Sequence, residues 1–203
     1  MATQTEKVYL SCAETAKFVR RALAESFPGF KFSVRSHTYS GGASIDVDWT
    51  DGPRTKEVEP VAKRYEGGGF DGMIDMAYNR SHYLRPDGSV YVHYDEGTTG
   101  SMGVMPGEDN RALAPVMPEG VRVVRFGADY IFCQRHITNF NEQCASATAW
   151  IYAHCQVVGT TGDPNFDMFG NLRISDLARN LVHDSIPGED WQDAFNRRYN
   201  QPV

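Results

Sequence analysis

Two runs of alternating apolar and polar residues flank the pair Gly41-Gly42, and they restrict the possible folds more than any other feature of the chain. FKFSVRSH covers residues 30–37, and SIDVDW covers residues 44–49. Alternation with a period of two is typical of strands that bury one face, and a glycine pair between two such runs is typical of a tight turn. The sequence therefore predicts an antiparallel hairpin.

A helix is predicted just before this hairpin. Ser11 followed by Glu14 forms a capping-box pattern, in which each side chain satisfies a backbone N–H group at the start of a helix. Apolar residues then recur at spacings of three and four as far as about residue 26, and Pro28-Gly29 ends the pattern. One helical face is expected to pack on the sheet, while the other faces water.

Three aspartates in and after the second run raise the question of a carboxylate site. Asp46 and Asp48 would lie on one face of a strand, close enough to share a hard cation such as Mg²⁺, with Asp51 in the following turn. The same face is expected to carry Lys31 and Arg35, so cross-strand ion pairing accounts for the acids without a metal. We interpret them as the solvent-facing side of the hairpin. A metal-dependent hydrolase that uses Asp46 and Asp48 is the minor alternative.

The rest of the chain is predicted to contain more strands and then helices. A second hairpin is centred on the turn sequence at residues 85–88. Residues 97–120 are rich in glycine and proline with little periodicity, and are predicted to form a flexible loop. The further predicted segments are a strand at 55–58, a helix from Pro60 through Tyr65, a packed connector at 70–78, two strands joined at Gly127-Ala128, and helices at 139–154, at 174–185 and near 189–199.

Together these segments predict an α+β fold. A small antiparallel sheet packs with the capped N-terminal helix, and a second hairpin pair and a helical C-terminal region follow. We expect an α+β unit at residues 1–78, and a second region at residues 79–203 that packs on it.

The charge distribution indicates what kind of partner suits the chain. The 203 residues contain 20 basic and 26 acidic side chains, a net charge of −6, which argues against a general affinity for the phosphate backbone of nucleic acids. Between Pro86 and Asn110 there is no Lys or Arg at all. This stretch is interpreted either as a solvated acidic loop or as a docking surface for a basic partner. The predicted partner-binding residues are Asp87, Asp95, Glu96, Glu108 and Asp109.

Direct contact with nucleic acid requires aromatic side chains for stacking together with basic residues for phosphates. Arg20 and Arg21 on the predicted helix, and Tyr91 and His93 on the second hairpin, offer a modest version of that combination. These four are the candidate nucleic-acid contacts.

No motif in the sequence specifies a reaction, so we predict no catalytic residue, no metal site and no cofactor. Cys133, His136, Cys144 and Cys155 are possible soft ligands for zinc. Their spacing on a strand and on a helix places them too far apart to share one ion, and buried reduced thiols are the favoured interpretation. The chain shows neither a signal-peptide pattern nor an apolar run long enough for a membrane span. We expect a protein without membrane contact, in the cytoplasm.

The N-terminal third resembles a known family. SCAETAKFVRRALAESFPGFKFSVRSHTYSGGASIDVDWTDGP, followed by VEPVAKRYEGGGFDGMIDM, is similar to the large polyvalent protein-associated domain 29, and the later VRFGADYIFCQR is similar to sequence that accompanies it. The resemblance is carried by the succession of cap, helix, hairpin, W-x-D-G-P turn and F-D-G-x-I-D segment. It supplies no established catalytic residue.

The resemblance implies a genetic context. Proteins with this domain occur in phages, plasmids and other conjugative elements, so the expected role is that of an accessory protein of a bacterial mobile genetic element. The leading hypothesis is a non-enzymatic protein that binds and inhibits a host defence protein or complex, of the anti-CRISPR or anti-restriction type. The alternative is a DNA-binding accessory factor for conjugation or replication.

Overall fold

A computed structural model describes residues 8–72, 75–93, 119–159 and 161–199, and it confirms the predicted α+β class. The predicted flexible loop lies outside these residues, except for a turn at Glu119 and Gly120. No helix in the described ranges is both long enough and apolar enough to cross a membrane. The helices are α1 (Cys12–Ser26), α2 (Thr55–Ala62), α3 (Phe140–His154), α4 (Ile174–Asp184) and α5 (Trp191–Tyr199), with a 3₁₀ turn at Lys63–Tyr65.

The strands form two larger sheets and two short hairpins. One sheet has the order β1-β8-β6-β7, in which β1 is parallel to β8 and the other pairs are antiparallel. The other large sheet has the order β2-β3-β9, while β4 pairs with β5 and β10 pairs with β11. The bounds are β1 (Val8–Leu10), β2 (Ser33–Tyr39), β3 (Gly42–Thr50), β4 (Gly68–Asp71), β5 (Met76–Asn79), β6 (Ser81–Leu84), β7 (Val90–His93), β8 (Arg122–Phe126), β9 (Tyr130–His136), β10 (Met168–Phe169) and β11 (Leu172–Arg173).

The chain separates into two compact units. The first comprises Met1–Asp48 and Lys56–Gln134, and the second comprises Trp49–Thr55 and Arg135–Val203. The boundary predicted between residues 78 and 79 stays a prediction.

The first helix forms as predicted, with both hydrogen bonds of the capping box. The Glu14 N–H donates to Ser11 Oγ at 3.2 Å, and the Ser11 N–H donates to Glu14 Oε2 at 2.8 Å. These bonds satisfy N–H groups that a helix leaves without partners at its start. The Ser11 hydrogen bonds also lower the pKa of Glu14.

Ser11→Ala is expected to lower the free energy of unfolding by about 1 kcal/mol, because alanine cannot accept the hydrogen bond at the helix start. Urea unfolding followed by circular dichroism measures the change. Ser26→Ala, at the last residue of the same helix, is the matched control and should change stability much less. Equal losses in the two variants would contradict the capping argument.

Two predictions for the segment after the first hairpin are wrong. Residues 55–58 belong to helix α2 and not to a strand, and this helix begins at Thr55, before Pro60. Val58 and Ala62 are both fully buried and lie four residues apart, which is the spacing of one helical face. A four-residue segment is too short for its apparent alternation to outweigh that burial.

The predicted connector at 70–78 is also wrong, because it contains the hairpin β4-β5. Three glycines precede and begin β4, and they permit a very close backbone approach. A Cβ atom on Gly67 would lie 1.8 Å from the carbonyl oxygen of Phe126, while the Gly67 N–H donates to Ala128 O at 2.7 Å. The glycines at this point therefore do more than end the preceding helix.

The core of the first unit contains a cluster of aromatic rings. Phe126 contacts Phe18, Tyr65 and His82, with ring centroids 4.9 to 5.6 Å apart in edge-to-face geometry. His82 is fully buried, and neither of its ring nitrogens has a hydrogen-bond partner in the described part of the chain. Burial and the nearby Arg80 charge together lower the pKa of His82 to about 4. The ring is therefore neutral near pH 7.

The second unit is built on three helices. Ile151, Leu177 and Leu181 are fully buried where α3 and α4 pack, and Trp191 and Phe195 of α5 complete the cluster. The predicted helices of this region are confirmed to within a few residues at their ends.

Candidate functional site

The exposed side of the sheet β2-β3-β9 is the candidate functional site. Ile45, Val47 and Ile131 are buried on one side of this sheet, so the alternate residues of its strands lie on the other side. We call this second side the aromatic face. It is defined by Arg35, His37, Tyr39, Asp46, Asp48, Tyr130 and Phe132.

The two aspartates of the aromatic face are paired with cationic or ionisable partners. Asp48 Oδ2 accepts a hydrogen bond from Arg35 Nη2 at 2.7 Å, and Asp46 Oδ2 lies 3.1 Å from His37 Nε2. The prediction of outward-facing acids balanced across the hairpin is therefore confirmed. The predicted role of Lys31 is wrong, because β2 begins at Ser33 and His37 takes the place beside Asp46.

Asp51 has a different role from the two strand acids and belongs to the second unit. Its carboxylate accepts hydrogen bonds from the backbone N–H and the hydroxyl of Thr138, at 2.9 and 2.8 Å. Its own N–H donates to His136 O at 2.7 Å, and its φ of 54° lies in the left-handed region that Asp tolerates better than most residues. Asp51 thus closes a turn.

Three large aromatic side chains stand on the aromatic face in contact with water. Phe132 is 57% exposed, Tyr39 51% and Tyr130 40%. The rings of Tyr130 and Phe132 are stacked, with centroids 6.3 Å apart and planes inclined by 27°. Exposed aromatic side chains on the same sheet face as an arginine are typical of surfaces that bind a partner.

The acids and thiols of the described residues form no cluster that is suited to binding a metal ion. Within the described ranges, no three His, Cys, Asp or Glu side chains come together in a way that could hold one. All four cysteines are free thiols, and burial raises the pKa of Cys133 to about 12. A thiol with so high a pKa carries almost no thiolate near neutral pH and is a poor metal ligand or nucleophile.

Of the predicted partner-binding residues, the structure describes Asp87, in the turn between β6 and β7. Its carboxylate accepts the Ser89 N–H at 2.8 Å, and this hydrogen bond lowers the pKa of Asp87. The side chain therefore also shapes the turn. The remaining four lie outside the described residues: Asp95, Glu96, Glu108 and Asp109.

The predicted nucleic-acid contacts fall in two places. Arg20 and Arg21 are adjacent on α1 but reach different neighbours. Arg20 donates to Val34 O at 2.6 Å, whereas Arg21 pairs with Glu25 at 2.7 Å and donates to Asp87 O at 3.1 Å. Tyr91 and His93 belong to strand β7, and only their backbone is described. The structure thus brings Arg21 beside Asp87, a residue predicted for a different role.

The residues of the aromatic face lie in a part of the chain that matches a known family. The sequence model described as large polyvalent protein associated domain 29 matches residues 10–138. The chain belongs to this family. The match confirms the resemblance seen in the N-terminal third, and it extends from α1 through the VRFGADYIFCQR segment in β8 and β9. No curated protein and no solved structure matches the chain.

The aromatic face lies within the residues that match the family. Its exposed residues Tyr130 and Phe132 were not predicted from the sequence as site residues. The segment DYIFCQRH predicted the strand β9 correctly, yet alternation alone does not say which face is wet. One signal in the sequence could have identified these two residues. Tyr130 and Phe132 alternate with Ile131, and only one of these two sets of side chains can face a single core, so the other set must be exposed. The family association with polyvalent proteins of mobile elements adds a context for the site.

Proposed function

We propose that this member of the large polyvalent protein associated domain 29 family is a non-enzymatic accessory protein of a bacterial mobile genetic element. It binds a host defence protein or complex through the aromatic face and inhibits it, in the manner of an anti-CRISPR or anti-restriction protein. The observation that carries the proposal is the exposed pair Tyr130 and Phe132, on a sheet face whose aspartates are already paired.

The aromatic side chains supply the binding energy in this proposal. Tyr and Arg are enriched among the few residues that dominate protein interfaces, and rigid aromatic rings lose little conformational entropy on binding. Tyr130 and Phe132 are already stacked on each other, so little ordering is required when a partner covers them. Arg35 lies on the same face and is held by Asp48.

Electrostatics favours a basic partner. The net charge of −6 steers the chain towards surfaces of positive charge. Nucleases and other defence proteins that act on DNA need such surfaces to bind the phosphate backbone. A chain that covers this kind of surface blocks the approach of DNA without any chemistry of its own.

Plasmid establishment provides a direct test. A plasmid that encodes the protein is introduced into hosts with a restriction or CRISPR system and into isogenic hosts that lack it. We expect the protein to raise the number of transformants only in the hosts with the defence system. Equal establishment with and without the gene, across hosts with each type of defence, would refute the proposed inhibition.

Tyr130→Ala combined with Phe132→Ala is expected to abolish most of this protection. A residue that dominates an interface contributes about 2 kcal/mol or more, which corresponds to roughly 30-fold in affinity. Phe166→Ala is the matched control, because Phe166 is 72% exposed and belongs to the second unit. Soluble protein levels are compared in all strains. Full protection by the double variant would place the binding surface elsewhere.

The same face also supports a second candidate function, a DNA-binding accessory factor for conjugation or replication. The stacked rings of Tyr130 and Phe132, on the same face as Arg35, resemble the platforms on which bases of single-stranded DNA stack. This function predicts a salt-sensitive shift of single-stranded DNA by the purified protein, weakened by Phe132→Ala. The leading proposal predicts no shift in the absence of a partner protein, so one experiment separates the two.

A further inference from the structure

A surface cleft in the first unit offers a binding site that is separate from the aromatic face. It lies between α1, the 3₁₀ turn that follows α2, and the turn between β6 and β7, and its volume is about 250 Å³. Its walls combine apolar atoms of Phe18 and Ala22 with the polar groups of Arg21, Arg64 and Tyr65. A cleft of this size accommodates a small molecule or a single functional group.

The hydroxyl of Tyr65 is the first indication of a ligand. Tyr65 is only 4% exposed, and its ring packs against Phe126, with centroids 5.2 Å apart. A buried tyrosine usually hydrogen-bonds through its hydroxyl, and the Tyr65 side chain lines the cleft, where a ligand can accept that hydrogen bond. Burial raises the pKa of Tyr65, so the hydroxyl is protonated near pH 7 and can donate.

The guanidinium of Arg64 is the second indication. Its Nε donates to Pro60 O at 3.4 Å, and among the described residues no carboxylate is paired with it. Arg21, on the other side of the cleft, is paired with Glu25 at 2.7 Å. Arg21, Arg64 and Tyr65 all line the same cleft. An unpaired guanidinium beside a phenol donor is suited to an anionic oxygen.

The neighbouring acids decide which anion fits. Glu25 and Asp87 also line the cleft, and their negative charges disfavour a phosphate dianion more than a carboxylate with a single charge. The apolar atoms of Phe18 and Ala22 can contact a hydrocarbon body attached to that carboxylate. We propose that the cleft binds a small organic carboxylate, which accepts hydrogen bonds from Arg64 and Tyr65 and rests on the apolar side of α1.

Titration of the full chain with benzoate, followed by two-dimensional NMR of the backbone amides, tests the proposal. Saturable shifts are expected at Tyr65, Gly88 and Ser89, which line the cleft. Benzyl alcohol has the same ring without the charge, and inorganic phosphate has charge without the ring, so both should bind at least tenfold more weakly. Equal binding of benzyl alcohol or of phosphate would overturn the proposed recognition of a monoanion.

Two substitutions distinguish the cleft from weak binding elsewhere. Tyr65→Phe removes only the hydroxyl and keeps the buried ring, and is expected to weaken benzoate binding about fivefold. Arg64→Gln removes a charge-assisted donor and should weaken it about tenfold or more. Arg122→Gln, at an exposed position of β8 that does not line the cleft, is the matched control and should leave the affinity unchanged. Unchanged affinity in both cleft variants would overturn the proposal. Benzoate binding is measured on the purified protein, so its failure would not affect the test of the proposed function by plasmid establishment.

Discussion

Gly67→Ala is expected to destabilise the first unit strongly. The new methyl carbon would lie 1.8 Å from the carbonyl oxygen of Phe126 and 2.9 Å from the carbonyl carbon, far inside van der Waals contact. Both neighbours are backbone atoms, so no side-chain rotation relieves the overlap. The backbone at Gly67 is also fixed by hydrogen bonds to Ala128 O and from the Arg80 N–H, at 2.7 and 2.8 Å. The segment cannot move without breaking them.

The expected loss is about 3 kcal/mol or more, since overpacking against backbone exceeds the usual cost of an added methyl group in a core. In a chain of this length such a loss lowers the melting temperature by roughly 10 °C. Thermal unfolding followed by circular dichroism measures it. Gly72→Ala is the matched control: a Cβ atom there meets nothing within 4 Å, and its φ is not in the left-handed region. Similar melting temperatures for both variants would contradict the close approach of the two segments.

The hairpin β2-β3 and helix α1 could be predicted from the sequence because both patterns are local. A capping box needs only Ser11 and Glu14, and alternation around Gly41-Gly42 is visible over a few residues. Strand β1 could not be predicted in this way. It has three residues and pairs in parallel with β8, more than a hundred positions later in the chain. Nothing near Val8 indicates that partner.

The same limit applies to the candidate sites. The pairing of Asp48 with Arg35 could be predicted from the sequence, because both residues lie on the same face of one hairpin. The cleft is different, because Tyr65 and Gly88 come together only through the packing of the first unit. The glycines before β4 show the same dependence. The closest contacts of Gly67 and Gly68 are with Phe126 and Asp129, about sixty residues away in sequence.

Acid is expected to destabilise the first unit through His82. In the unfolded chain the ring has a pKa near 6.5, whereas burial lowers it to about 4 in the folded protein. Between these pH values the unfolded state binds the proton more readily, so the free energy of unfolding falls as the pH falls from 6.5 towards 4. The difference of about 2.5 pKa units corresponds to about 3 kcal/mol, and most of it is lost by pH 4.5.

His82→Leu is expected to remove this contribution, because leucine has no proton to bind and suits a site beside Phe126. Urea unfolding at pH 7.5, 6.0, 5.0 and 4.5 measures the difference in the free energy of unfolding between wild type and variant. Burial raises the pKa of Glu66, which has the opposite effect on the pH dependence, but this contribution is the same in both proteins and cancels in the difference. The variant should gain about 2.5 kcal/mol relative to wild type between pH 7.5 and 4.5.

His37→Gln is the matched control for this measurement. The His37 side chain is 53% exposed on the aromatic face, so this substitution removes a histidine whose ring is open to water. The control should therefore keep the pH dependence of the wild type. If His82→Leu and wild type instead lose stability in parallel as the pH falls, the buried ring does not govern the acid response. The proton would then be taken up elsewhere, and the result would contradict a lowered pKa of His82 in the folded protein.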